Sequence, residues 1–200
     1  MTGALADAAR PGDAPAMARG ATIYRAVVEL SNVDRGTYAE LKPTLALHPS
    51  ETEERMLVRL LAYALRYDES LSFGKGVSTP DEPDVMSRDG AGRFVEWIEV
   101  GQPEGKRLVK ACRAAERVNV FAFGRGAERW REGELAKVDA PANLGVCHLA
   151  DEFLASLGAE LERSLRWSLT VSEGALFLTT GERTLETTPE RWIGDPLAAD

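Results

Sequence analysis

The stretch from Phe94 to Val100, Phe-Val-Glu-Trp-Ile-Glu-Val, constrains the fold more than any other in these 200 residues. Aromatic and β-branched residues favour a strand, and here they occupy both faces. A strand wet on one side would alternate apolar with polar, so this one is predicted to be central and covered on both faces. Val118 to Phe123 reads the same way. The covering layers must come from helices. The clearest opens at Pro49-Ser50, with Ser50 as cap and Glu53 completing a capping box. Leu57, Leu60, Leu61, Ala64 and Leu65 follow at helical spacing, to about Tyr67. Further helices are predicted over Glu104 to Arg117, over Ala127 to Leu135, and from a cap at Asp151 through Phe153, Leu154 and Leu157.

The remaining strands are shorter or half-buried. Ile23 to Leu30 puts Tyr24, Ala26, Val28 and Leu30 on one face. After turn chemistry at Asn32 to Gly36, Thr37 to Leu47 returns as a hairpin partner, with Pro43 marking an edge or a bulge. Leu71 to Phe73, a segment ending near Arg88, and Leu144 to Leu149 are short strands. Leu165 to Val171, Leu176 to Thr180 and Leu185 to Thr187 form a terminal meander. The fold class is α/β (α+β), helices on a mixed sheet, with an N-terminal hairpin and a C-terminal meander. Residues 1–19 are rich in Ala, Gly, Pro and Asp without apolar periodicity and are expected to be disordered, with Met17 as an alternative start. Residues 20–194 are expected to form one domain and 195–200 a tail.

A net charge of -8 argues against tight duplex binding by bulk charge. A local basic strip exists all the same: Lys106, Arg107, Lys110, Arg113 and Arg117. Cys112 and Cys147 are expected to be reduced, His48 is a packed or hydrogen-bonded histidine, and no Cys/His spacing suits zinc. No secretory segment or bilayer-length apolar run is present, which predicts a cytoplasmic chain away from membranes.

The order helix, short strand, acidic turn, strand, strand ending in Glu99, helix, strand resembles the core of the PD-(D/E)xK nucleases. That resemblance implies a divalent metal, Mg²⁺ or Mn²⁺, held by acids from the second and third strands, with a lysine two residues after the third-strand acid. Residues i and i+2 of a strand share a face, so acid and lysine converge on one phosphate. Oxygen ligands suit Mg²⁺, which lowers the pKa of an attacking water. The candidate ligands are Glu99 with Asp81 or Glu82; Asp84, the literal Pro-Asp match, ranks below them. The lysine position holds Gly101, so Lys110 on the following helix is the candidate substitute and Gln102 a water-orienting group or helix cap. Glu54 is expected to assist the site, Arg55 to pair with Glu54 or with a phosphate, and Glu51 to offset the helix dipole. Glu99 is either functional or ion-paired with a helix arginine, since a buried carboxylate needs a partner.

A more specific resemblance is to the YaeQ family. It rests on Ala21-Thr22-Ile23-Tyr24, His48-Pro49-Ser50-Glu51-Thr52 with Glu54-Arg55-Met56, Asp81-Glu82-Pro83, Trp97-Ile98-Glu99 with Gly101-Gln102-Pro103, and Lys110-Ala111-Cys112. It implies a variant of the nuclease fold and a link to transcription elongation. Three functions stay open: a metal-dependent nuclease or phosphodiesterase; a non-cutting protein that binds nucleic acid through Lys106, Arg107, Lys110 and Arg55; and an adaptor for a protein partner.

Overall fold

The computed structural model describes residues 20–74 and 82–198. Two sheets, not the single mixed sheet expected, share the chain. The first begins with β1 (Thr22–Asn32), paired antiparallel with β2 (Thr37–Leu41) and β3 (Thr44–Leu47). The predicted single return strand is split at Lys42-Pro43, where proline has no N–H for the ladder. The meander β9 (Ser164–Ser172), β10 (Ala175–Thr180) and β11 (Arg183–Thr187) joins the same sheet, because β9 lies parallel to β1. Each of these strands alternates buried and exposed residues, as a sheet with one wet face requires.

The second sheet runs β12-β8-β7-β6-β5-β4. Its strands are β4 (Ser72–Phe73), β5 (Val85–Arg88), β6 (Phe94–Val100), β7 (Ala115–Ala122), β8 (Leu144–His148) and β12 (Glu190–Ile193). β5 runs antiparallel to both β4 and β6, whereas β6, β7 and β8 are parallel. β12 carries no strand signal strong enough to predict; it closes the sheet by pairing antiparallel with β8.

Helix α1 (Glu53–Leu65) lies between the sheets beside α4 (Asp151–Ala159). It buries residues nearly all round, which marks a helix enclosed by protein. Truncating Leu60, fully buried there, to alanine should cost about 2–5 kcal/mol. The helix starts later than the sequence suggests. Thr52 is the cap, accepting from the Arg55 backbone N–H at 3.2 Å, while Ser50 bonds the His48 ring at 2.7 Å. The far face of the second sheet packs on α2 (Gly105–Ala114) and α3 (Ala127–Gly133) through Trp97, Leu108, Ala111 and Trp130. α2 ends at Ala114, so Arg117 sits on β7 and leaves the helical basic strip. Leu197, expected in a tail, is buried in the core.

Candidate functional site

β6 is buried on both faces, so its two glutamates are sent in opposite directions. Glu99 shares a face with Trp97, and the indole Nε1–H donates to Glu99 Oε1 at 2.7 Å. Arg107, from the first turn of α2, donates to the same oxygen through Nε at 2.7 Å and places Nη2 at 2.7 Å from it. Arg107 Nη2 also donates to the backbone carbonyl of Glu82 at 2.7 Å. Burial pushes the Glu99 carboxyl above its usual range; the neighbouring Asp84 carboxylate adds to the rise, while Arg107 and Trp97 oppose it.

Asp84 is therefore the acid that meets Glu99, although the sequence favours Asp81 or Glu82 for that place. Antiparallel pairing explains the correction. The Asp84 N–H donates to the Ile98 carbonyl at 3.0 Å and Asp84 Oδ2 accepts from the Val100 N–H at 2.8 Å, which fixes it one step along the ladder. Of the other two, Glu82 offers Arg107 its backbone oxygen, and Asp81 lies outside the described residues.

α1 supplies a second arginine. Arg55 Nη2 donates to Asp84 Oδ1 at 2.5 Å, and its Nη1 to Glu51 Oε1 at 3.0 Å. Arg59, one turn on, grips Glu51 with Nε at 2.8 Å and Nη2 at 2.9 Å, and reaches the Ala46 carbonyl at 3.1 Å. Dipole compensation does not describe Glu51: its side chain is fully buried between two guanidinium groups. Glu51 lies just before the Thr52 cap, so the chain folds its side chain back against the first two turns of α1, where Arg55 and Arg59 share a face.

The three carboxylates Glu51, Asp84 and Glu99 thus face three guanidinium groups. The acids lie behind, with side chains at most 5% exposed, while Arg55 and Arg107 are 23% and 27% exposed. Of these six groups, the ones that keep contact with solvent are the guanidinium groups of Arg55 and Arg107. This arrangement does not suit a hard divalent ion, which needs carboxylate lone pairs in a net negative pocket. Both oxygens of Glu51 and of Asp84 accept hydrogen bonds, and one oxygen of Glu99 accepts two. Among the described residues no group of three His, Cys, Asp or Glu is placed to hold a metal.

The other predicted site residues lie elsewhere. Gly101, at the lysine position, has φ +95°, a backbone state that side chains with a Cβ rarely adopt. The backbone turns there and would strain under a lysine. Gln102 donates Nε2–H to the Phe123 carbonyl at 2.7 Å, ending β7 rather than orienting a water at Glu99. Glu54 faces Asp151 at the start of α4, and burial followed by that like charge raises its carboxyl above the usual range. Asp151 itself accepts from the Gly124 N–H at 3.1 Å. Lys106, Lys110 and Arg113 are exposed on α2, and the guanidinium that reaches Glu99 is that of Arg107.

Comparison with known proteins follows the same residues. The family model described as YaeQ protein matches residues 17–189. The YaeQ protein of Salmonella typhi is 40% identical over 177 residues, 88% of this chain and 98% of that one. Its Escherichia coli counterpart is 38% identical with the same coverage. The crystal structure of YaeQ from Pseudomonas syringae superposes with a TM-score of 0.84 at 36% identity, covering 88% of this chain and 98% of that one. The Xanthomonas axonopodis structure gives 0.82 at 38%, covering 86% and 97%. Motifs, matched length and three-dimensional likeness agree, and the chain belongs to the YaeQ family.

Proposed function

We propose that this protein binds phosphodiester strands without cutting them, on a nuclease-like core in which Arg55 and Arg107 stand where a metal-dependent relative would keep its cations. The observation that carries the reading is the layering of the pocket: buried carboxylates behind, guanidinium groups of Arg55 and Arg107 in front. Arginine presents several N–H donors in a rigid fork that matches phosphate oxygens. A carboxylate behind it fixes the fork in place, so less freedom is lost on binding. Lys106, Lys110 and Arg113 follow at i, i+4 and i+7 on the wet face of α2 and extend the cationic surface. The positive φ of Gly101 supports the non-cutting half, since no lysine follows Glu99 at the spacing the cleavage chemistry uses.

The test is thermal melting of the purified chain with Mn²⁺ or Mg²⁺, and separately with a short oligonucleotide in EDTA. The reading expects the oligonucleotide to raise the melting temperature and the metal to leave it unchanged. Metal-induced stabilisation lost in Glu99→Ala, together with cleavage of the oligonucleotide, would replace it with the nuclease reading.

A further inference from the structure

Beside the basic face of α2 lies a hollow of about 750 Å³ lined by Glu104, Gly105, Lys106, Val109, Glu134 and Lys137. Its size is that of sites that take small organic molecules. Its chemistry excludes a phosphate. Two carboxylates line it, and the Gly105 N–H at the helix start already donates to Glu134 Oε2 at 3.0 Å. Lys137 Nζ holds the other Glu134 oxygen at 2.5 Å. The two lysines balance the two acids, while Val109 and the lysine stems make the walls apolar. Lys106 belongs both to this hollow and to the outward row Lys106, Lys110, Arg113. A cationic row that ends at a neutral, apolar-walled hollow rimmed with acceptors matches a nucleotide taken apart: phosphates along the row, base in the hollow.

We propose that the hollow receives an unstacked nucleobase, so that the ligand is a single strand rather than a duplex. The inference rests on the phosphodiester-binding reading and names the ligand of that surface. A paired base hides its hydrogen-bonding edge and stays stacked, whereas a single strand can splay a base into a pocket. With Glu134 taken by the Gly105 N–H and Lys137, the Glu104 carboxylate at the rim selects bases carrying an exocyclic amino group, as when Glu or Asp accepts from cytosine N4. Cytosine and adenine are therefore preferred over thymine and uracil, which present carbonyls there.

The experiment is fluorescence anisotropy on the full chain with four DNA probes of equal length: oligo-dC, oligo-dT, a duplex, and a strand with abasic sites throughout. The expected order is oligo-dC tightest, oligo-dT weaker, and abasic strand and duplex weakest, with roughly tenfold between oligo-dC and the abasic strand. Val109→Trp, which fills the hollow, should bring oligo-dC down to the abasic level and leave the abasic strand unchanged. Val109→Met is the milder filling if tryptophan unfolds the chain, and should narrow the same gap. Equal affinity for oligo-dC and the abasic strand, or a gap that survives both fillings, overturns the base pocket while phosphodiester binding stands. No binding of any probe removes both readings together.

Discussion

Two glutamates three residues apart on β6 are each held by arginines, and they do different things. Glu96 accepts Arg66 Nε at 2.9 Å and Nη2 at 3.2 Å, Arg117 Nη1 at 3.0 Å and the Asn119 amide at 2.6 Å. Arg66 is 2% exposed and also donates to the carbonyls of Pro196 and Ala198. Every partner is protein, and the network ties the end of α1 to the C-terminal segment. Glu99 likewise has a guanidinium against it, yet that guanidinium is 27% exposed. The lesson is that the bond to the carboxylate does not by itself separate a structural clamp from the proposed binding surface. What separates them is the sealed Arg66 on the Glu96 side, since Arg117 there is 36% exposed and as open to water as the 27% exposed Arg107.

Three substitutions and one titration sharpen that contrast. The largest stability effect belongs to the sealed network. Arg66→Ala leaves Glu96 buried with fewer donors and frees the C-terminal carbonyls, and it should cost about 3–5 kcal/mol in chemical denaturation without changing oligonucleotide affinity at a temperature where the variant is folded. Arg107→Ala should reverse the balance, with about 1–2 kcal/mol lost from stability because Glu99 keeps Trp97, but roughly tenfold lost from affinity. If both variants lose stability alone, the contrast collapses.

A pH titration of stability tests the electrostatics of Glu99 directly. Its carboxyl is raised in the folded state, so the native protein holds this proton at pH values where the unfolded chain has released it. Stability contributed by the group is therefore fullest below the ordinary glutamate range and falls as pH rises through the elevated value. Glu99→Gln, which cannot ionise, should gain on wild type as pH climbs from about 4 to 7. A variant that instead loses ground over that window would mean that Arg107 more than offsets the burial. The smallest expected effect is at the rim. Lys106→Ala should leave stability within about 0.5 kcal/mol and lower the salt slope of binding by about one.

The sequence carried much of this fold and less of the site. Phe94 to Val100 announced a buried central strand, and the leucine spacing announced α1, because burial on both faces and a 3.6-residue period leave direct marks. That β9 would pair parallel with β1, and that β12 would close the other sheet, are long-range facts that local pattern does not encode. In the site, the sequence leaves open a Glu99 ion pair with a helix arginine, which Arg107 makes, whereas Arg55 pairs with Glu51 and Asp84 rather than with the Glu54 the sequence offers it. Asp84 ranks below Asp81 and Glu82 in the sequence because the family motif ends at Pro83, and local pattern does not show the ladder contact that sets it beside Val100. Glu51 looked like ordinary first-turn acidity, and only its burial between Arg55 and Arg59 shows otherwise.

The most direct test of the central claim is the affinity of the wild-type chain for a single-stranded oligonucleotide, measured against sodium chloride concentration in EDTA. If arginine and lysine donors carry the contact, binding persists without divalent metal and log affinity falls linearly with log salt. Binding that needs Mn²⁺ or Mg²⁺, or that ignores salt, would contradict it.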